Sequence, residues 1–148
     1  MAYSVVFTLP GELRDLLTSA PPLDGVHILT APRRTAAGAA ELAVQEMRAT
    51  QSRPVTGGWR RESGSFVLRA YAEVRGAGED AIDAARTKVD GVLAAASGVL
   101  EGDCTLGGIV LHCDISEIAE DDQSLTTDGH TFTAHATVTF RADVNPGA

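Results

Sequence analysis

The sequence predicts an α+β fold: a mainly antiparallel β-sheet with two helices packed on one face. Three observations carry this expectation. Residues 66–75 alternate apolar and polar, residues 79–97 repeat apolar side chains at helical spacing, and residues 131–144 alternate again over a long run. Helices collected on one side of an antiparallel sheet let each apolar face bury the other.

Taken in order, residues 3–9 read as an extended, β-prone lead-in ended by Pro10-Gly11. Glu12 to Ala20 carries Leu13, Leu16 and Leu17 on one helical face, with Glu12 near the positive N-terminal end. Pro21-Pro22 stops that helix, Asp24-Gly25 turns the chain, and Val26 to Thr30 reads as a strand. Residues 31–40 read as a loop. Across Glu41–Ser52 the alternation of Leu42, Val44 and Glu46 favours a strand over the helix that Ala39, Leu42, Ala43 and Met47 also fit. Pro54 to Ser65, with Gly57, Gly58 and Gly64, reads as a long polar turn, so the stretch 31–65 is expected to hold a flexible hairpin or loop region.

The strand over 66–75 puts Phe66, Leu68, Ala70, Ala72 and Val74 on one face, and Val67, Arg69, Tyr71, Glu73 and Arg75 on the other. Ile82, Ala85, Val89, Val92, Leu93 and Ala96 define the long helix. Glu79, Asp80 and Asp83 sit at its start, Gly98 is its expected stop, and Gly91 inside it suggests close contact with the sheet. Residues 109–116 read as the next strand, Glu117–Ser124 as an acidic loop, and Asp128-Gly129 as a hairpin turn. In the last strand Phe132, Ala134, Ala136, Val138, Phe140, Ala142 and Val144 face the core, against Thr131, Thr133, His135, Thr137, Thr139, Arg141 and Asp143.

Size and composition narrow the function. The chain has 148 residues, 44% hydrophobic and 22% charged, which suits one globular domain over 1–148. Its net charge of -8 disfavours a nucleic-acid binder, which needs a basic footprint. The acidity is uneven: residues 1–74 hold 8 basic and 7 acidic side chains, residues 75–148 hold 4 and 13. Cys104 and Cys113 have neither zinc spacing nor a disulfide framework and read as reduced thiols. No run of about 18 apolar residues predicts a membrane span, and no signal peptide is expected.

Catalytic signatures are missing from the sequence. It has no G-x-S-x-G elbow, P-loop, H-E-x-x-H or C-x-x-C motif. Gly76-Ala77-Gly78 lacks the third glycine of a dinucleotide fingerprint and precedes a helix opening with acids, which would repel phosphate. His112 and His135 could share the polar side of neighbouring strands, but Cys113 points opposite to His112 in a regular strand, so no metal site is expected. Neither cofactor nor catalytic residue is expected. The Thr-rich polar faces can be solvated, or can form contacts between subunits.

The order of these segments is familiar. A leading helix precedes "DGVHILTAP"; then come "RRESGSFVLRAYAEVRG", "GEDAIDAARTKVDGVLAAA" and "LGGIVLHCDISEIAEDDQSLTTDGHTFTAHATVTFRADV". Over residues 11–144 this pattern resembles the tail terminator proteins of long-tailed (siphovirus-type) bacteriophages, departing from them in the 31–65 stretch. The resemblance implies a structural virion protein rather than an enzyme. It implies a homohexameric ring on the head-proximal end of the tail tube, assembled in the host cytoplasm. Such a ring stops polymerisation of the major tail tube protein and docks head-completion (connector or stopper) proteins, while DNA passes through its lumen without specific binding.

Ring subunits meet through two different surfaces, and complementary charge can set their register. Arg33, Arg34, Arg60 and Arg61 supply positive loops; Glu117, Glu120, Asp121 and Asp122 supply a negative one. These eight are the expected subunit or ring contacts, and acidic residues of the second half are expected to line the lumen. Another head–tail neck protein, or a small α+β enzyme or ligand-binding domain, are the competing readings.

Overall fold

The computed structural model describes residues 3–30, 40–76, 78–125 and 129–145. A serine-capped 3-10 turn (Val5–Phe7) leads into helix α1 (Leu9–Thr18). A second 3-10 turn (Pro21–Leu23) precedes the short strand β1 (His27–Leu29). Then come β2 (Ala40–Pro54), β3 (Arg60–Arg75), helix α2 (Glu79–Gly102), β4 (His112–Leu125) and β5 (Gly129–Val144). The strands form one sheet in the order β1-β2-β3-β5-β4, with β1 parallel to β2 and every other pair antiparallel. Two hairpins, β2–β3 and β4–β5, are thus joined side by side through β3 and β5, and both helices lie against the sheet, as the α+β reading requires.

Alternation decides which face is buried. Phe66, Leu68, Ala70 and Ala72 of β3 and Phe132, Ala134, Ala136, Val138, Phe140 and Ala142 of β5 face the helices. Helix α2 answers with Ala81, Ala85, Val89, Val92, Leu93, Ala96 and Leu100. Alanines on both sides bring helix and sheet close, and the buried Phe66 and Phe140 rings pack with their centres 6.1 Å apart. Leu9, Leu13 and Leu17 of α1, spaced four apart, close the β1–β2 side.

Several boundaries differ from expectation. Pro10 does not break a strand: it occupies the first turn of α1, where a missing N–H costs nothing. Residues 40–54 and 60–65 are strand, so of the expected 31–65 loop the described residues keep only the turn at 55–59; residues 31–39 lie outside the described residues. Helix α2 passes Gly98 to end at Gly102, and exposed Gly91 has no neighbour that a methyl group would meet, so it does not mediate helix–sheet contact. Residues 109–111 precede the strand. Glu117–Ser124 lie in β4 rather than a loop, and Asp128 of the expected turn falls outside the described residues.

Two hydrogen-bonded knots fix the ends of these elements. Ser4 Oγ donates to both oxygens of Glu62 (2.9 and 2.8 Å), and Val5 N donates to Oε1 at 2.7 Å. Glu62 is 1% exposed, so this buried carboxylate pins the first turn to β3. After α2, Asp103 accepts from Thr105 N, Thr105 Oγ1 and Gly107 N, which holds its carboxyl below the usual range. That turn places Leu106, at φ 54°, in the core.

Candidate functional site on the polar face of the sheet

The face of β3 and β5 away from the helices carries Arg61, Ser63, Arg69 and Glu73 opposite Asp143, Arg141, His135 and Thr131. Its centre is Arg69. The guanidinium donates through Nε to Asp121 Oδ2 (3.2 Å), through Nη2 to Glu46 Oε2 (3.2 Å) and through Nη1 to Gln45 Oε1. Asp121 Oδ1 accepts from His135 Nδ1 at 2.6 Å, so that nitrogen carries the proton, and His135 Nε2 lies 3.5 Å from Glu117 Oε1. One arginine therefore ties β2, β3, β5 and β4 together.

Strand irregularities make this possible. The β2–β3 register shifts between Gln45 and Arg48, where Glu46 takes φ 52°, and the β4–β5 register shifts between Glu120 and Asp122. Each bulge inserts an extra residue and redirects a side chain. Here the redirected carboxylates, Glu46 and Asp121, converge on Arg69 from opposite edges of the sheet. Partly exposed ion pairs contribute about 0–1 kcal/mol each, so the network's main effect is to fix geometry.

At the hairpin end, Arg61 donates Nε and Nη2 to the two Asp143 oxygens (2.8 and 2.9 Å). This fork holds the Asp143 carboxyl below the ordinary range and the guanidinium above its own. Arg60 donates to Ser52 Oγ and lies 4.9 Å from the Tyr3 ring centre. Trp59 stands half-exposed on the turn beside an open concavity shared with Val55, Thr56, Arg61 and Asp143.

The expected contact residues divide accordingly. Arg33 and Arg34 lie outside the described residues. Arg60 and Arg61 do not sit on a loop: they open β3, and Arg61 is engaged within the chain. Glu117, Glu120, Asp121 and Asp122 are all on β4; Asp121 is drawn into the Arg69 network, and Glu120 and Asp122 point to solvent. Sequence reasoning missed Arg69 and His135 as the partners of Asp121, and Gln45 and Glu46 as the further partners of Arg69. Alternation put Arg69 and His135 on the polar face, but bulges leave no compositional mark.

Chemically, the central charges of this face are engaged with one another. Both Asp121 oxygens are engaged, and His135 Nε2 faces a carboxylate rather than a nucleophilic hydroxyl. Among the described residues no group of three or more His, Cys, Asp or Glu could hold a metal ion. His112 pairs with Asp114 and stays apart from the His135 cluster. Burial, with a smaller effect from Cys104, pushes the Cys113 thiol up to about 11, leaving it neutral and unreactive near pH 7. No helix among the described residues is long and apolar enough to cross a membrane.

No protein-family model matches the chain, and no curated protein matches its sequence. One solved structure aligns with 94% of this chain and 96% of its own at a TM-score of 0.44 and 17% identity, a likeness too slight to bear on function.

Proposed function

We propose that this protein is a structural virion component, a tail terminator of a long-tailed bacteriophage. It acts as a homohexameric ring on the head-proximal end of the tail tube. There it stops addition of the major tail tube protein and presents a docking surface to head-completion proteins, while the genome passes through the lumen without specific binding. The observation that carries this reading is the pairing of a helix-covered sheet face with an opposite polar face whose central charges, Arg69 with Asp121 and Arg61 with Asp143, are engaged within the chain. Such a face suits contact with protein or passage of DNA better than chemistry on a small molecule. The element order agrees with the pattern in which the sequence resembles that family, and the acidic second half disfavours phosphate retention.

The test is reconstitution. Adding the protein to polymerising tail tube protein is expected to yield shorter tubes of defined length, with ring density at one end in electron micrographs and six copies by native mass. Tubes of unchanged length with bare ends overturn the reading. Binding only to tubes already capped by another protein identifies a stopper or connector instead.

A further inference from the structure

The sheet ends in two long edges. Strand β1 covers β2 only at Glu41–Ala43, so from Val44 to Pro54 the outer side of β2 pairs with no strand among the described residues. On the far side β4, 14 residues long, pairs only with β5 among the described residues. Open edges expose backbone donors and acceptors and invite another strand.

Their charges are opposite. Strand β4 carries Asp114, Glu117, Glu120, Asp121 and Asp122 and no Lys or Arg. The open part of β2 carries Arg48 and Arg53, while its single acid, Glu46, is turned inward onto Arg69. Contact of β4 with β4 would set acid against acid, and β2 with β2 would set arginine against arginine. Only β4 against β2 is complementary, and that contact is head-to-tail. Direction agrees. Through the order β2-β3-β5-β4, each step antiparallel, β4 runs opposite to β2. Copies related by rotation about an axis along the strands keep that relation, so β4 of one copy meets β2 of the next antiparallel. Ile118, 65% exposed midway along β4, would add apolar area to such a contact.

We infer that the β4 edge of one copy pairs with the Val44–Pro54 edge of β2 in a second copy, continuing the sheet from subunit to subunit. The inference rests on the ring reading above and names the surface by which the ring would close.

The test uses two edge variants of the full chain, Arg48→Glu/Arg53→Glu and Glu120→Lys/Asp122→Lys, a chain carrying all four changes, and a mixture of the two edge variants. None of the four side chains takes part in the Arg69 network, and unchanged circular dichroism and melting show that folding is intact. The wild type is expected to form closed oligomers by native mass and light scattering. In each edge variant the subunit concentration needed for assembly is expected to rise by at least about tenfold, since like charges are then juxtaposed. The mixture and the four-fold variant are expected to assemble again. A wild type monomeric up to its solubility limit, oligomers indifferent to both edge variants, or failure of both combinations to restore assembly each overturns the edge pairing. Edge variants that still cap tail tubes would leave the tail reading standing without this interface. Wild-type rings sensitive to both edges that leave tubes bare would do the reverse.

Discussion

Gly64 shows how a single residue can hold a strand in shape. A Cβ there would lie 1.9 Å from the Arg48 carbonyl oxygen and 2.9 Å from Ala49 Cα, both backbone atoms of the bulged β2. Gly64→Ala is therefore expected to destabilise the fold by about 1–3 kcal/mol or to shift the β2 bulge, read by chemical denaturation. Asp143 makes a second prediction at this scale. Its hydrogen bonds to Arg61 depress its pKa below the unfolded value, so the carboxylate stabilises the fold fully above the ordinary aspartate value of about 3.9. That contribution is lost as the pH falls through the lower folded value. Asp143→Asn should thus cost stability at neutral pH, with the difference from wild type disappearing in acid. A difference that persists unchanged at the acid end would assign the loss to packing rather than charge.

At the scale of elements, what the sequence could disclose depended on what each strand buries. Strand β3 was legible from Phe66 onward because its inward positions are apolar. Its first third was not, because the inward positions there are Glu62, held by Ser4, and Gly64, fitted to the bulge. The part of β4 from Glu117 onward read as a loop because α2 lies mainly over β3 and β5, leaving both sides of that stretch wet and removing the alternation. Of the Arg69 network, only the face on which Arg69 and His135 stand could be read; its partners depend on bulges. The alanine layer between α2 and the sheet was legible, and it makes a prediction. Ala96 is fully buried at that contact, so Ala96→Leu should push the helix off the sheet and cost about 1–3 kcal/mol, measured as a lowered denaturation midpoint. The same change at exposed Ala94 should cost little.

For the whole molecule, charge is the property with the widest reach. The net charge of -8 is concentrated in the second half, and β4 carries much of it at one edge of the sheet. Duplex DNA mixed with the purified protein is expected to show no mobility shift at physiological salt, since the net charge of -8 opposes the approach of phosphate. A shift that weakens steeply with added salt would count against DNA passing the protein without being held. The pairs of Arg69 with Asp121 and Arg61 with Asp143 engage charge of the outer face within the chain, whereas the two edges keep their unequal charge.

The joining of the two hairpins through β3 and β5 also has a kinetic consequence. Each hairpin closes over a short connection, but Arg60 pairs with Val144 and Arg75 with Gly129, with all of α2 lying between β3 and β5 in the chain. The entropy of closing that long loop must be met before the central pairing returns anything. Folding is therefore expected to run in two stages, with local hairpins first and a slower docking that zips β3 to β5 as α2 settles over them. Until that docking, the strands at the middle of the finished sheet are themselves edges, and the nascent chain is most open to mispairing there.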